Sequence, residues 1–208
     1  MNNAQQKISR FIALVLILAG FSVSAQAYSK SIEADFTKYL EAIQNKDFDT
    51  SLDYLVEKVF DIVPRETMVE VMDRTFNAEG IEFYFGDFVI KEIGEPQVID
   101  STSYIILKYA SDMSIKIESN ESKKEVSEDE ERMMRIMTSA ALEQQFGKEN
   151  VKYNDSTTFF DITALKEAVA VKINNKKQWK FLVVEKSNPF LLKAILPDPI
   201  LEKVLTED

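Results

Sequence analysis

The 208 residues of this chain include no histidine and no cysteine, so tyrosines and carboxylates, Tyr39, Tyr54, Tyr84, Tyr104, Tyr109, Asp87 and Asp112 among them, are the types available for moving a proton. Without imidazole the commonest general base, the usual Ser-His triads and the usual nitrogen metal ligand are gone. Without thiols there is no thiol catalysis, and zinc, copper and haem sites lose their preferred ligands. What survives is tyrosine and carboxylate chemistry, since a carboxyl buried in an apolar cavity has a raised pKa and serves as acid or base. An all-oxygen calcium or magnesium site also survives, and the acidic run Glu128 to Glu131 is where it would be sought. Neighbouring helical residues point in different directions and EF-hand spacing is absent, so acids favouring a helix start explain that run. No Gly-rich phosphate-binding motif occurs. No catalytic residue, metal ligand or cofactor is assigned on this reading.

The second chemical possibility is an apolar ligand pocket. The stretch KQWKFLVVEK, Lys177 to Lys186, holds the single Trp. At strand spacing Trp179, Phe181 and Val183 share one face, and Lys180, Leu182 and Val184 the other. Phe36, Tyr39, Phe83, Phe85, Tyr109, Trp179 and Phe181 are the candidate pocket walls, because ligand pockets are mostly aromatic with a few polar groups. The competing reading packs the same rings solid against the first and third helices, and aromatics at strand spacing are more often core than cavity. Met133, Met134 and Met137 raise a similar choice between an adaptable binding face and core filler. Met134 lies off the main stripe and is expected to be partly exposed.

Helices are expected first. Ile32, Phe36, Tyr39, Leu40 and Ile43 recur at helical spacing, and Leu52, Leu55, Val56 and Val59 continue in a second helix after Asn45-Lys46-Asp47. Pro64 and Glu66 suit the first turn of a third, with Met68, Val71, Met72 and Phe76 as its buried stripe and Gly80 as its stop. The period then changes. IEFYFGDFVIKEI reads as a strand with a bulge at Gly86, after which the facing changes, and Glu95-Pro96 breaks it. Ile105, Leu107, Tyr109, Met113, Ile115 and Ile117 alternate along one long bent strand or two in series. After the charged connection ESNESKKEVSEDEE, Ser127 with Glu130 forms a capping-box pattern. That helix should bury Met133, Ile136, Met137, Ala140 and Ala141 and stop at Gly147. Strands around Val151 to Ile162, Glu167 to Ile173 and Gln178 to Glu185 follow, the last two joined by a turn at Asn174–Lys177. That turn should put Val169, Val171 and Ile173 on the face of Trp179, Phe181 and Val183. PFLLKAILPDPILEKVL reads as a short amphipathic helix broken by Pro197 and Pro199. The fold class is α+β: N-terminal helices packed on a curved antiparallel sheet, with one inserted helix and a short C-terminal helical tail.

The first residues read as a signal peptide rather than as fold. MNNAQQKISR carries Lys7 and Arg10, FIALVLILAGF is apolar, and SVSAQA places Ala25 and Ala27 where a signal peptidase reads. Cleavage after Ala27 leaves one α+β domain, 28–208, with no later segment apolar enough to span a membrane. Losing the leader's two positive charges takes the net charge from −10 to −12. Such an acidic chain is a poor partner for nucleic acid, which needs Lys and Arg clusters. With no cysteine, its stability rests on the core rather than on disulfides. The expectation is an exported bacterial protein, periplasmic or secreted.

YLEAIQNKDFDTSLDYL and INNKKQWKFLVVEK resemble two parts of the nuclear transport factor 2-like superfamily. The first is similar to its opening, where a helix ends in an acidic turn and a second begins; the second is similar to its closing hairpin. The resemblance implies helices packed into the mouth of a strongly curved antiparallel sheet, a cone with a cavity. The helix from Ser127 to Phe146 and the helical tail depart from it. The family includes ketosteroid isomerase, which works with Tyr and carboxylates, as well as binders and scaffolds, so fold alone does not choose the function. The leading expectation is a non-enzymatic exported domain binding a small apolar ligand or a protein partner. The alternatives are a cavity enzyme of the isomerase or dehydratase type, and a homodimeric scaffold using Ile106, Ala110, Leu182 and Val184 on the outer sheet face.

Overall fold

The stripe Ile32, Phe36, Tyr39, Leu40 forms the buried face of a helix, α1, residues 28–44. In this computed structural model residues 28–117, 127–174, 176–187 and 189–206 are described. The proposed leader, most of the charged connection before Ser127 and Asn175 of the hairpin turn lie outside them. Asp47 opens α2 (Phe48–Leu52) by accepting the Thr50 N–H. The second helix is shorter than its sequence pattern suggests. Leu55 instead bridges Phe181 in parallel, Val56 N–H donates to Phe181 at 3.2 Å and Phe181 N–H to Tyr54 at 2.6 Å. A sheet edge with free backbone groups out-competes local helix propensity there. A 3₁₀ turn at Glu57–Val59 follows, then α3 (Arg65–Phe76) directly after Pro64. Val71, placed in the α3 stripe by spacing, is exposed; Met68, Val69 and Met72 pack against the core instead.

The sheet is antiparallel, curved and not closed, in the order β1-β3-β5-β4. β1 is Ile81–Ile93, β3 Thr102–Ile117, β4 Val151–Asn154 and β5 Phe159–Ile173. β2 (Gln97–Ile99) extends the β1 edge of β3 beyond Glu95-Pro96, and β6 (Lys180–Val183) shares the outer edge of β5 with β4. The bulge at Gly86 is present. Phe85 pairs with Met113 but Phe88 with Ser111, so β1 spends one extra residue and the inward facing moves from odd to even positions. A Cβ on Gly86 would lie 3.0 Å from that of Asp112, so a side chain would crowd the bulge. β3 is one continuous strand. The expected strand through Val151 to Ile162 is two: it reverses after Asn154, whose side-chain oxygen accepts the Ser156 N–H at 3.1 Å.

Register assigns the two faces. Ile105, Leu107, Tyr109, Ala168, Ala170, Phe181 and Val183 share the face that α1 covers. Ala170, not Val169 or Val171, stands opposite Phe181, so the expected grouping of β5 with Trp179 and Phe181 is out by one residue. Val169, Val171, Leu182 and Val184 belong to the other face. They share one core with Leu192, Ile195, Leu196, Ile200 and Val204 of the tail. The tail is two helices, α5 (Phe190–Ile195) and α6 (Asp198–Thr206). Pro197 separates them; Pro199 sits in the first turn of α6, where the missing N–H costs nothing.

The inserted helix, α4 (Glu128–Phe146), has the expected capping box and ends at Gly147 with φ 91°. Its facing is the reverse of the expected one. Met133, Ile136 and Met137 are exposed by 59%, 53% and 66%, and Ala140 and Ala141 are exposed too. Leu142 and Phe146 pack on Ile115, Phe160 and Ile162, and Met134 is half-buried. Bulky Met and Ile dominate a hydrophobicity count, but two residues near the C-terminal end, reached by the sheet, set the rotation. Met137→Lys is therefore expected to change stability by no more than about 0.5 kcal/mol in urea denaturation. Leu142→Ala should cost at least about 1 kcal/mol; the opposite ranking would refute this facing.

Candidate functional site

The seven aromatic residues proposed as pocket walls divide into two groups. Phe36 meets Tyr109 at 4.9 Å and Phe181 at 4.8 Å between ring centroids, both edge-on, and Tyr39 stacks on Phe181 at 6.0 Å. Phe83 and Phe85 meet Phe76 of α3 instead, each at 5.2 Å, and Phe76 stacks on Phe48. Edge-on and offset contacts at these distances are the preferred packing of aromatic rings in cores.

Trp179 is a plug between helix and sheet. It is fully buried, its indole N–H donates to Ser31 Oγ at 2.9 Å and its backbone N–H to the Asp35 carboxylate at 2.9 Å. Both partners stand one turn apart on α1. Tyr28 lies edge-on to the indole and the Lys172 ammonium sits over it at 5.2 Å. Both N–H groups of this Trp are thus engaged by its own chain.

The proton-transfer candidates are dispersed. Tyr39 and Tyr109 are the buried pair. Loss of hydration pushes the Tyr109 phenol up to about 12 and the Tyr39 phenol higher, with Tyr109 adding to the latter. Asp112 belongs to the sheet face opposite Tyr109, where it accepts from Thr163 Oγ1 at 2.7 Å, and Asp87 is exposed beside the bulge. Tyr84 is exposed against Phe159, and Tyr54 lends its carbonyl to Phe181. The acidic run at the start of α4 is accounted for by capping. Glu130 accepts from the Ser127 N–H and Oγ, both at 2.9 Å, and these bonds hold its carboxyl below the usual range. Among the described residues no group of acidic side chains is placed to hold a metal ion.

A concave site does exist, on the opposite face of the sheet from the aromatic group. One cross-strand row, Tyr104–Val171–Lys180, and the next, Thr102–Ile173, form its floor. Val56 beside the 3₁₀ turn and Ile195 of α5 form walls. Lys58 and Glu57 from the 3₁₀ turn, and Lys176, Lys177 and Gln178 from the hairpin, complete a recess of about 630 Å³. Lys180 donates to the Asp53 carbonyl. Burial raises the Tyr104 phenol, opposed by a hydrogen bond with Thr102 and reinforced by Asp100. The sequence pattern missed this site because its lysines read as turn and surface residues. The available signal was a Lys pair and Lys180 close together, with a single local acid, in an otherwise acidic chain.

Comparison with protein-family models, curated proteins and solved structures gives no match.

The Trp179 environment predicts blue-shifted emission and weak acrylamide quenching. Ser31→Ala, which leaves the buried indole N–H unpaired, should cost about 1–3 kcal/mol; a wild-type-like urea midpoint would contradict the plug. The two buried phenols predict a pH effect. Both are protonated in the folded chain above the unfolded tyrosine pKa of about 10. The unfolded chain therefore binds fewer protons, and stability falls as pH rises through that value towards 12. The loss should be shallower in Tyr109→Phe, measured as denaturation midpoint from pH 8 to 11.5; an identical slope would exclude these groups as its cause.

Proposed function

We propose that this protein is an exported, non-catalytic binding domain, and that its ligand is a small, mainly apolar molecule held in the recess between the 3₁₀ turn, the β5–β6 hairpin and α5. The observation that carries this is the lining. Val56, Tyr104, Val171, Ile173 and Ile195 present apolar surface in one concavity, of the 300–1,000 Å³ size typical of small-molecule sites. Phe36, Trp179 and Phe181 leave no exposed surface of their own, which moves the proposed site off the seven-residue aromatic set and onto the other sheet face. The apolar leader ending in Ala25 and Ala27 supports export.

The nuclear transport factor 2-like likeness is retained as a proposal for the framework. A helix laid on the aromatic face of a curved antiparallel sheet, the acidic turn before α2 and the Trp after the closing hairpin support it. The tail covering the second face and α4 are the additions. The enzymatic alternative draws less support, because Tyr39 and Tyr109 have no carboxylate among the causes of their shifts. So does a sheet-face dimer, since Ala110, Leu182 and Val184 are already buried within one chain.

Nile red, neutral and fluorescent in apolar sites, tests the reading on the purified full-length protein. Saturable binding is expected, weakened at least about tenfold, or 1.4 kcal/mol, by Ile173→Glu, a change at a position 55% exposed and therefore harmless to the fold. Binding undiminished by Ile173→Glu would move the site elsewhere.

A further inference from the structure

We infer that the ligand of this recess is a single-chain amphiphile with an anionic head, a carboxylate or phosphate carried on an acyl-like tail. The inference rests on the recess being the ligand site. Its new element is the charge arrangement at the rim. Lys58, Lys176, Lys177 and Lys180 all line one concavity with Glu57 as the only acid in the lining. The chain as a whole carries 35 acidic against 25 basic residues, so four lysines to one acid reverses its bias locally.

None of the four lysines makes an ion pair among the described residues, whereas Lys108, Lys116, Lys166 and Lys186 elsewhere on the sheet each do. Lys180 is held by a backbone carbonyl, which leaves its charge uncompensated. Asp100, near enough to raise the Tyr104 phenol, is not part of the lining. Grouped like charges repel one another, and an anion among them relieves that cost while gaining charge-assisted hydrogen bonds. Ile173, Val171 and Tyr104 of the floor, with Ile195 and Val56 of the walls, supply apolar surface in the same concavity. A ligand that satisfies both parts must be charged at one end and apolar along the rest. A small inorganic anion would leave the floor in water, and a neutral hydrocarbon would leave the lysines without a counter-charge.

The test measures binding of dodecanoate, dodecyl phosphate and methyl dodecanoate to the full-length protein by calorimetry, below their aggregation thresholds. The expected result is that at least one anion binds tenfold or more tightly than the neutral ester at low salt. That advantage should shrink in 0.5 M salt, because charges at an exposed rim are screened. Lys176→Glu with Lys177→Glu, both exposed positions, should reduce it to threefold or less, with an unchanged circular dichroism spectrum showing that the fold is kept. An ester that binds as tightly as both anions overturns the anionic head and leaves the binding reading standing. Failure of Nile red and of all three amphiphiles overturns the recess as a ligand site altogether. An anion preference that survives the double substitution overturns the role given to the lysines. Sedimentation with anionic phospholipid vesicles separates a free amphiphile from a membrane surface: the protein is expected in the supernatant, and its co-sedimentation overturns the inference.

Discussion

The structure depends on burying both faces of the sheet where β5 passes between β3 and β6. Four successive residues, Ala168, Val169, Ala170 and Val171, are all buried although their side chains alternate in direction. An antiparallel strand with one wet face does not read that way. Here α1 closes one face and α5 with α6 closes the other. The small residues fall on the α1 side, opposite Phe181 and Val183, so large rings from α1 and β6 fit against a shallow surface. The branched residues fall on the tail side, where Leu192, Ile195, Leu196, Ile200 and Val204 supply the bulk. A chain without disulfides draws its stability from that double layer and from α1's grip on Trp179.

The same arrangement explains why the aromatic interior and the concave site are on different faces. Rings from α1, β3 and β6 meet at 4.8 to 6.0 Å and use up the inner face. The outer face is covered only partly, because two short helices with a proline between them cannot reach the whole of the β3–β5–β6 corner. The uncovered corner is the recess. Its rim comes from the hairpin turn and from the 3₁₀ turn, which is brought there because Leu55 and Val56 leave the helical path to extend the sheet edge at Phe181. The departure from helix that looks like a local irregularity is therefore what delivers Lys58 to the site.

Periodicity and turn chemistry were enough for much of the fold: the α1 stripe, the Gly86 bulge with its change of facing, the break at Glu95-Pro96, the Ser127 capping box and the stop at Gly147. Each is specified by residues within a few positions of one another, so local physics settles it. The failures have two causes. The length of α2 and the rotation of α4 depend on partners distant in the chain, Phe181 for the one and Ile115 for the other, whereas the split of the 151–162 strand at Asn154 and the one-residue register of β5 against β6 are set by the geometry of their hairpins. Trp179 was legible as a key residue, yet its role as a plug required Ser31 and Asp35, more than 140 positions away.

The sequence by itself determined which chemistries are open to this protein, because the absence of His and Cys is independent of folding, and it determined the class α+β through its hydrophobic periods. Only the tertiary structure decided that Phe36, Tyr39, Tyr109, Trp179 and Phe181 are packed together in the core while Phe83 and Phe85 pack on Phe76, and that four lysines from two separated segments line one apolar recess. The physical reason is that periodicity tells which residues share a face of one element. Which faces of two elements meet, and what they leave uncovered, follows from strand register and from the competition of helices for the same surface.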